Sequence, residues 1–336
     1  MPALPARPDL DQLRRRAREL LASARAGDDA AMAMLRAVSD RITLTSAQLA
    51  LARHYGFGSW ARLKTEVERR RVLDRCDVDQ LQRMLTEDPS LAVAEMLHWH
   101  DHPLGAAPLN YVAMLRYDTS AKVWRDVPGT AAMARALLAA GAPVNGDPGA
   151  FETPLITAAS YGDAEVATVL VEAGADVEAV SAVDSGGVPG GTALVHAAVF
   201  GMTAVLDVLV AAGAAYGDLV MSAAAGDLSG RDVTAASQEE RIRALVMAAD
   251  HQRLDVIDAL VAAGVPVDAV DNTWGRHPLR LAAENGRPAS VRRLLALGAD
   301  PTLTDARGRA PLQLARAGHA THPDEAGYAE VFALLA

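Results

Sequence analysis

Between residues 153 and 312, apolar residues recur in short stripes at helical spacing, each closed by a glycine and followed by a polar turn. Thr153-Pro154-Leu155 leads to Ala158-Ala159, then to Val169-Leu170-Val171 and Gly174-Ala175-Asp176. Thr192-Ala193-Leu194 leads in the same order to Ala197-Ala198, Val208-Leu209-Val210 and Gly213-Ala214. The order returns from Ala244-Leu245 to Gly264, from Pro278-Leu279 to Gly298-Ala299-Asp300, and less completely from Pro311-Leu312 onward. From leading Leu to closing Gly the distance is 19 residues in four copies, 155 to 174, 194 to 213, 245 to 264 and 279 to 298. Equal spacing of this kind predicts a stack of two-helix units.

Each conserved type within the repeat has a physical task. A Thr oxygen caps free amides and Pro suits the first helical turn. Paired alanines let an inner helix lie close to its neighbour, and the Leu/Val run gives the second helix an apolar stripe. The closing glycine is expected in the left-handed conformation that ends the second helix. One such unit cannot bury its own face, so the units must stack.

The N-terminal residues read differently. Leu10, Leu13, Ala17, Leu20, Leu21 and Ala24 form a helical stripe behind Asp9. Ser46 is expected to open a second helix that Gly56 ends, and Ser59 to cap a third carrying Trp60, Leu63 and Val67. Val78 to Leu91 reads as a helix ending at Asp88-Pro89. The predicted organisation is a helical capping region over 1–76 and a repeat array over 77–336.

Charge sharpens this division. Residues 1–76 hold 15 Lys/Arg and 9 Asp/Glu, net +6, whereas the remainder holds 17 and 33, net −16. The array therefore repels nucleic acid, and the front end is expected to act as a basic cap on an acidic array. Aromatics make up 4% of the chain, and Cys76 is the one cysteine, which excludes an intrachain disulfide and a multi-thiolate zinc site. With no 18-residue apolar run and no secretory pattern, a cytoplasmic protein without a membrane segment is expected.

The Thr-Pro-Leu, Ala-Ala and Gly-Ala-Asp residues together resemble the ankyrin repeat family, over roughly residues 77–336. The resemblance implies an all-α, ankyrin-type helical-repeat solenoid, with the N-terminal helices as its cap. Helical extensions of this kind are similar to those on some bacterial ankyrin-type proteins. Where the family carries His after Pro-Leu, this chain has Asn110, Ile156, Val195, Val246, Arg280 and Gln313, so apolar packing is expected to replace that histidine's bonds.

Three insertions interrupt the pattern, near 116–128, at 184–191 and over 218–240. The first lengthens the Leu109 to Gly141 distance to 32 residues and carries Tyr117, Asp118, Trp124 and Asp126. The second is a Gly-rich turn, read as tolerated surface variation. The third is expected to add a short helix over Leu219–Ala225 or to complete a degenerate repeat. Insertions are where repeat proteins carry individual function.

The family resemblance also implies a concave binding face. Mapped by the motif, it comprises Glu152, Tyr161, Phe200, Asp250, His251, Trp274, Arg276, Glu284 and Asn285, with Arg116 where the family usually has Gly. Aromatics with both charge signs fit a defined protein or peptide partner. The expected function is a non-catalytic binding scaffold, with no cofactor and no metal.

Two alternatives stay open. A small-molecule site or an enzyme would draw on His98, His100, Asp101, His102, Asp118 and His196; in an extended run the first three histidines alternate onto one face. Their spacing matches no usual metal pattern, and Gly186-Gly187-Val188-Pro189-Gly190-Gly191 lacks the Lys-Ser/Thr of a phosphate loop. DNA binding through residues 1–76 rests on two short helices joined by Tyr55-Gly56-Phe57-Gly58, with Arg62, Lys64 and Arg69 to Arg71 on the second. Nucleic acid ranks below the capping role, because base-reading polar residues other than Arg and Lys are missing.

Overall fold

In a computed structural model, residues 4–5, 8–96 and 106–336 are described. The chain divides into two compact units, one of residues Met1–Pro108 with Arg135–Ala142, the other of Leu109–Ala134 with Pro143–Ala336.

The first unit contains α1 (Leu10–Arg25), α2 (Asp29–Arg36), α3 (Leu44–His54), α4 (Trp60–Asp74) and α5 (Val78–Glu87), then a 3-10 turn at Pro89–Ala92. Side-chain oxygens of Asp9, Asp28, Thr43, Ser59 and Asp77 cap the five helices. The second predicted helix begins earlier than its sequence pattern indicated. Thr43 is its cap, and Ser46 sits at the third helical position of a reciprocal capping box. Leu13, Ala17, Leu51, Tyr55, Leu63 and Val67 form one apolar core, and Ala24, Ala31, Leu35, Ala47 and Ala50 a second. On α4, Glu66 is buried between Arg69 and Arg70, at 2.5 Å and 2.9 Å. Arg69 also donates to the carbonyls of Leu91 and Ala94, so its charge-bearing nitrogens are occupied inside the unit.

The second unit is built from helical pairs. Its helices are α6 (Pro108–Ala113), whose first residue belongs to the other unit, and α7 (Thr130–Ala139), which the division crosses. They are followed by α8 (Pro154–Tyr161), α9 (Ala164–Glu172), α10 (Ala193–Val199), α11 (Thr203–Ala211), α12 (Leu219–Ala225), α13 (Gln238–Asp250), α14 (Leu254–Ala262), α15 (Pro278–Glu284), α16 (Pro288–Ala296), α17 (Pro311–Thr321) and α18 (Gly327–Leu335). Helices α8, α10, α12, α13 and α15 carry paired small residues, and the inner row runs α8–α10–α12–α13–α15–α17, each packed on the next. The Ala158-Ala159, Ala197-Ala198, Ala248-Ala249 and Ala282-Ala283 pairs are fully buried there. Gly174, Gly213, Gly264 and Gly298 all adopt positive φ between 84° and 93°, ending the second helix of each pair as the spacing required.

The third insertion forms α12 over the expected residues, capped by Asp218 and packed on α13. The first insertion is an antiparallel hairpin, β1 (Tyr117–Asp118) and β2 (Val123–Trp124), with Tyr117 opposite Trp124. These are the only named strands among the described residues, so the architecture is all-α apart from this ribbon.

Two of the residues in place of the family histidine make polar bonds between neighbouring units. Asn110 donates to the carbonyl of Glu152 (3.3 Å) and to the Thr157 hydroxyl (3.0 Å), and Arg280 donates to the carbonyl of Thr304 (2.7 Å). Apolar packing is therefore supplemented at these two junctions. No described helix is long and apolar enough to cross a membrane.

Candidate functional site

The best-formed exposed anchor lies on the turn before α15. The Asp271 amide donates to the carbonyl of Arg276 (2.9 Å), and the Gly275 amide donates to that of Asp271 (2.7 Å). The Asp271 carboxylate in turn accepts the amides of Thr273 and Trp274, both at 3.0 Å. A neighbouring segment tethers the tip, because Glu239 accepts the Asn272 amide at 2.9 Å. On this fixed turn Trp274 stays 41% exposed, with the Arg276 guanidinium 5.2 Å from its ring centre. A cation over an indole face contributes about 0.5–1 kcal/mol at an exposed site. Behind the pair, burial raises the Glu284 carboxyl above its ordinary value, against the pull of Arg309 and Arg276. Trp274 and Arg276 are thus brought to one place.

The other predicted face residues are mostly absorbed by the array itself. Asp250 is 1% exposed, accepts a bond from Asn285 Nδ2 at 2.6 Å and lies 3.8 Å from Arg287 Nε. His251 is also 1% exposed. Its Nε2 donates to the Ala198 carbonyl and its Nδ1 accepts from the Thr203 hydroxyl, both at 2.9 Å. Arg287 reaches the carbonyl of Gly201 at 2.5 Å. The turns that end the inner helices therefore converge and bond to one another. Asp250, His251 and Asn285 hold that convergence, and the expected open row of polar groups is not present at these positions.

The first insertion reaches the ends of two other inner helices, α8 and α17. Tyr117 and Trp124 have ring centres 4.3 Å apart, and Tyr117 lies 6.0 Å from Tyr161. Trp124 stacks on His322 at 4.7 Å, and the Asp126 amide donates to Asp324 at 3.0 Å. Arg116 donates to the carbonyl of Gly162 (3.0 Å) and pairs with Asp126 (3.2 Å). Asp118 accepts the amides of Ser120 and Ala121, shaping the hairpin turn. Arg116 and Asp118 are thus committed to the hairpin's own geometry.

His196 is fully buried, donating from Nε2 to the Val188 carbonyl (3.0 Å) and accepting the Ser160 hydroxyl at Nδ1 (2.8 Å). Burial holds its imidazole below the ordinary value. Glu152 is half-buried nearby, its carboxyl raised by burial. Phe200 remains 40% exposed, 5.9 Å from the His196 ring. His98, His100, Asp101 and His102 lie outside the described residues. Among the described ones, no three His, Cys, Asp or Glu side chains converge to hold a metal.

On α4, Arg69 and Arg70 are buried against Glu66, and Arg71 pairs with Glu68. Arg62 and Lys64 remain exposed, leaving a smaller basic face than the sequence offered for a phosphate backbone.

One surface feature escaped the motif mapping. Val180 and Val183 are exposed on the turn that precedes α10, and Phe151 on the adjacent turn that precedes α8, positions to which the motif mapping assigned no role. The available signal was an apolar pair, Val180 and Val183, inside a turn with no periodic partner.

Two family matches agree with the repeat geometry. The ankyrin repeat family matches at residues 152–182, and the family described as ankyrin repeats in many copies matches at 260–315. The chain contains ankyrin repeats. It is similar to the crystal structure of the human ASB11 ankyrin repeat domain, at 22% identity over 68% of this chain and 97% of that one, with a TM-score of 0.32. No curated protein matches.

Proposed function

We propose that this chain binds a protein or peptide through its repeat array, with Trp274 and Arg276 as the central anchor. Ankyrin repeats are in general modules of protein–protein interaction, and the observation that carries the reading here is the Trp274 turn. A large aromatic held 41% exposed, by bonds to both ends of its own turn and to Glu239, loses little conformational freedom on binding. Arg276 keeps one face of the indole oriented, and the Glu284 carboxyl with Arg309 behind it supplies polar contacts at the rim.

The test is capture of a partner from native lysate by the wild-type chain and by a Trp274→Ala, Arg276→Ala double variant, with helicity and melting followed alongside. A folded variant that loses the captured species supports the reading. A folded variant that captures it equally well refutes this anchor.

A further inference from the structure

The turn that precedes α10 carries an apolar tip in an acidic field. Of the nine large apolar side chains exposed among the described residues, three meet there: Val180 at 61% and Val183 at 86% on that turn, and Phe151 at 42% on the adjacent turn that precedes α8. The backbone sets them side by side, since the Ala182 amide donates to the Phe151 carbonyl at 2.8 Å and Val180 pairs with Thr192 across a single bridge. Ser181 fixes the base of the tip, its amide bonding the Gly191 carbonyl (2.9 Å) and its hydroxyl the Val188 carbonyl (2.8 Å). Clustered exposed apolar groups on an ordered tip mark a contact surface more often than scattered ones do.

Charge names the partner. From Ala136 to Gly230 the sequence holds 11 Asp and Glu and no Lys or Arg. Four of those carboxylates, Asp147, Asp176, Glu178 and Asp184, are exposed on the two turns that form this tip. Asn145 accepts the Asp176 amide at 2.8 Å, so the two turns are joined.

We infer that this tip binds a basic amphipathic segment of a partner protein, its apolar side chains resting on Phe151, Val180 and Val183 and its Lys or Arg groups meeting the surrounding carboxylates. Apolar contact supplies most of the affinity, and the carboxylates set the sign of partner that is accepted and speed its approach. The inference deepens the partner-binding reading and rests on it, but it concerns a different surface from Trp274.

The experiment titrates the full-length chain into a short fluorescein-labelled peptide of Leu and Lys at amphipathic helical spacing, and into a twin with Glu for every Lys. The wild-type chain binds the Lys peptide and not its twin, and added salt weakens the complex. A Phe151→Ser, Val180→Ser, Val183→Ser variant weakens binding by on the order of tenfold or more, while a Val270→Ser, Leu303→Ser control leaves it unchanged. Equal binding by the triple variant reduces the effect to bulk charge and overturns the proposal, as does equal binding of the Glu twin. If wild type sediments as a dimer and the triple variant as a monomer, the occupant is a second copy of this chain and the proposal also fails. Weakening by Trp274→Ala, with none by the triple variant, overturns this surface and leaves the Trp274 anchor standing.

Discussion

Trp124 and His322 lie face to face, their ring centres 4.7 Å apart and their planes within 10°. The first belongs to the hairpin inserted after α6, the second to the end of α17, so a contact within the second unit joins the beginning of the array to its last helical pair. Repeat arrays are ordinarily held by neighbour contacts alone, which lets terminal repeats fray independently. The Trp124–His322 stack and the Asp126–Asp324 bond give this array a contact that bypasses the intervening repeats.

Replacing Trp124 by Ala is therefore expected to loosen α17 and α18 although the substitution is made far away in sequence. The loss is about 1–3 kcal/mol, combining apolar burial with the stacked pair. Hydrogen exchange reads this directly: amides in residues 311–335 exchange faster in the variant, and those of α3 and α4 are unchanged. Uniform acceleration across the chain would contradict a local tie.

The buried histidines give stability a defined pH dependence. Burial lowers the pKa of His251, with the neighbouring Asp250 carboxylate opposing, and burial lowers that of His196 as well. The unfolded chain protonates these imidazoles below their ordinary value of 6.5 while the folded chain does not. Stability is therefore complete above that value and falls as pH drops from it toward the lower folded values. Glu152, Asp163 and Glu284 act with the opposite sign. Burial raises their pKa, so the folded state retains protons that the unfolded chain releases above about 4–4.5, and their contribution fades as pH rises. His251→Gln separates the two. Between pH 7.5 and 5.5, its urea midpoint is expected to fall less steeply than that of the wild type, and parallel slopes would contradict the assignment.

Much of the architecture was legible because local chemistry and global packing agree in it. The closing glycines, the Thr153 and Thr192 caps and the short helix over Leu219–Ala225 all lie where the sequence pattern placed them. Such features depend on residues a few positions apart. Asp250, His251 and Asn285 were misplaced for the converse reason. The repeat motif assigns them to an exposed row, and only the convergence of the inner-helix turns, which depends on how successive pairs tilt, buries the first two and ties Asn285 to Asp250. Tyr117 and Trp124 were legible as part of an insertion between two helices, but nothing in either segment fixes their pairing as a hairpin or points to His322 as its destination. The bonds from Asn110 and Arg280 were likewise hidden, since their acceptors sit in the following repeat.

The buried ionic cluster of the first unit makes a sharper stability prediction. Glu66 is the carboxylate that meets both Arg69 and Arg70, at side-chain exposures of 6%, 3% and 3%. Glu66→Gln keeps the shape and removes the charge, at a cost of about 3–5 kcal/mol, because guanidinium groups are left buried without that counter-charge. Chemical denaturation followed by the α1–α5 helical signal checks this, and a loss below about 1 kcal/mol would contradict it.

The central claim is that the Trp274 turn meets a partner protein, and site-specific photocrosslinking tests it most directly. Benzoylphenylalanine placed at position 274 is expected to yield a discrete crosslinked product in native lysate. The same probe at the exposed position of Asp255, on the outer helix α14, is expected to yield none. Equal products at both positions, or a product at 255 alone, would contradict the assignment.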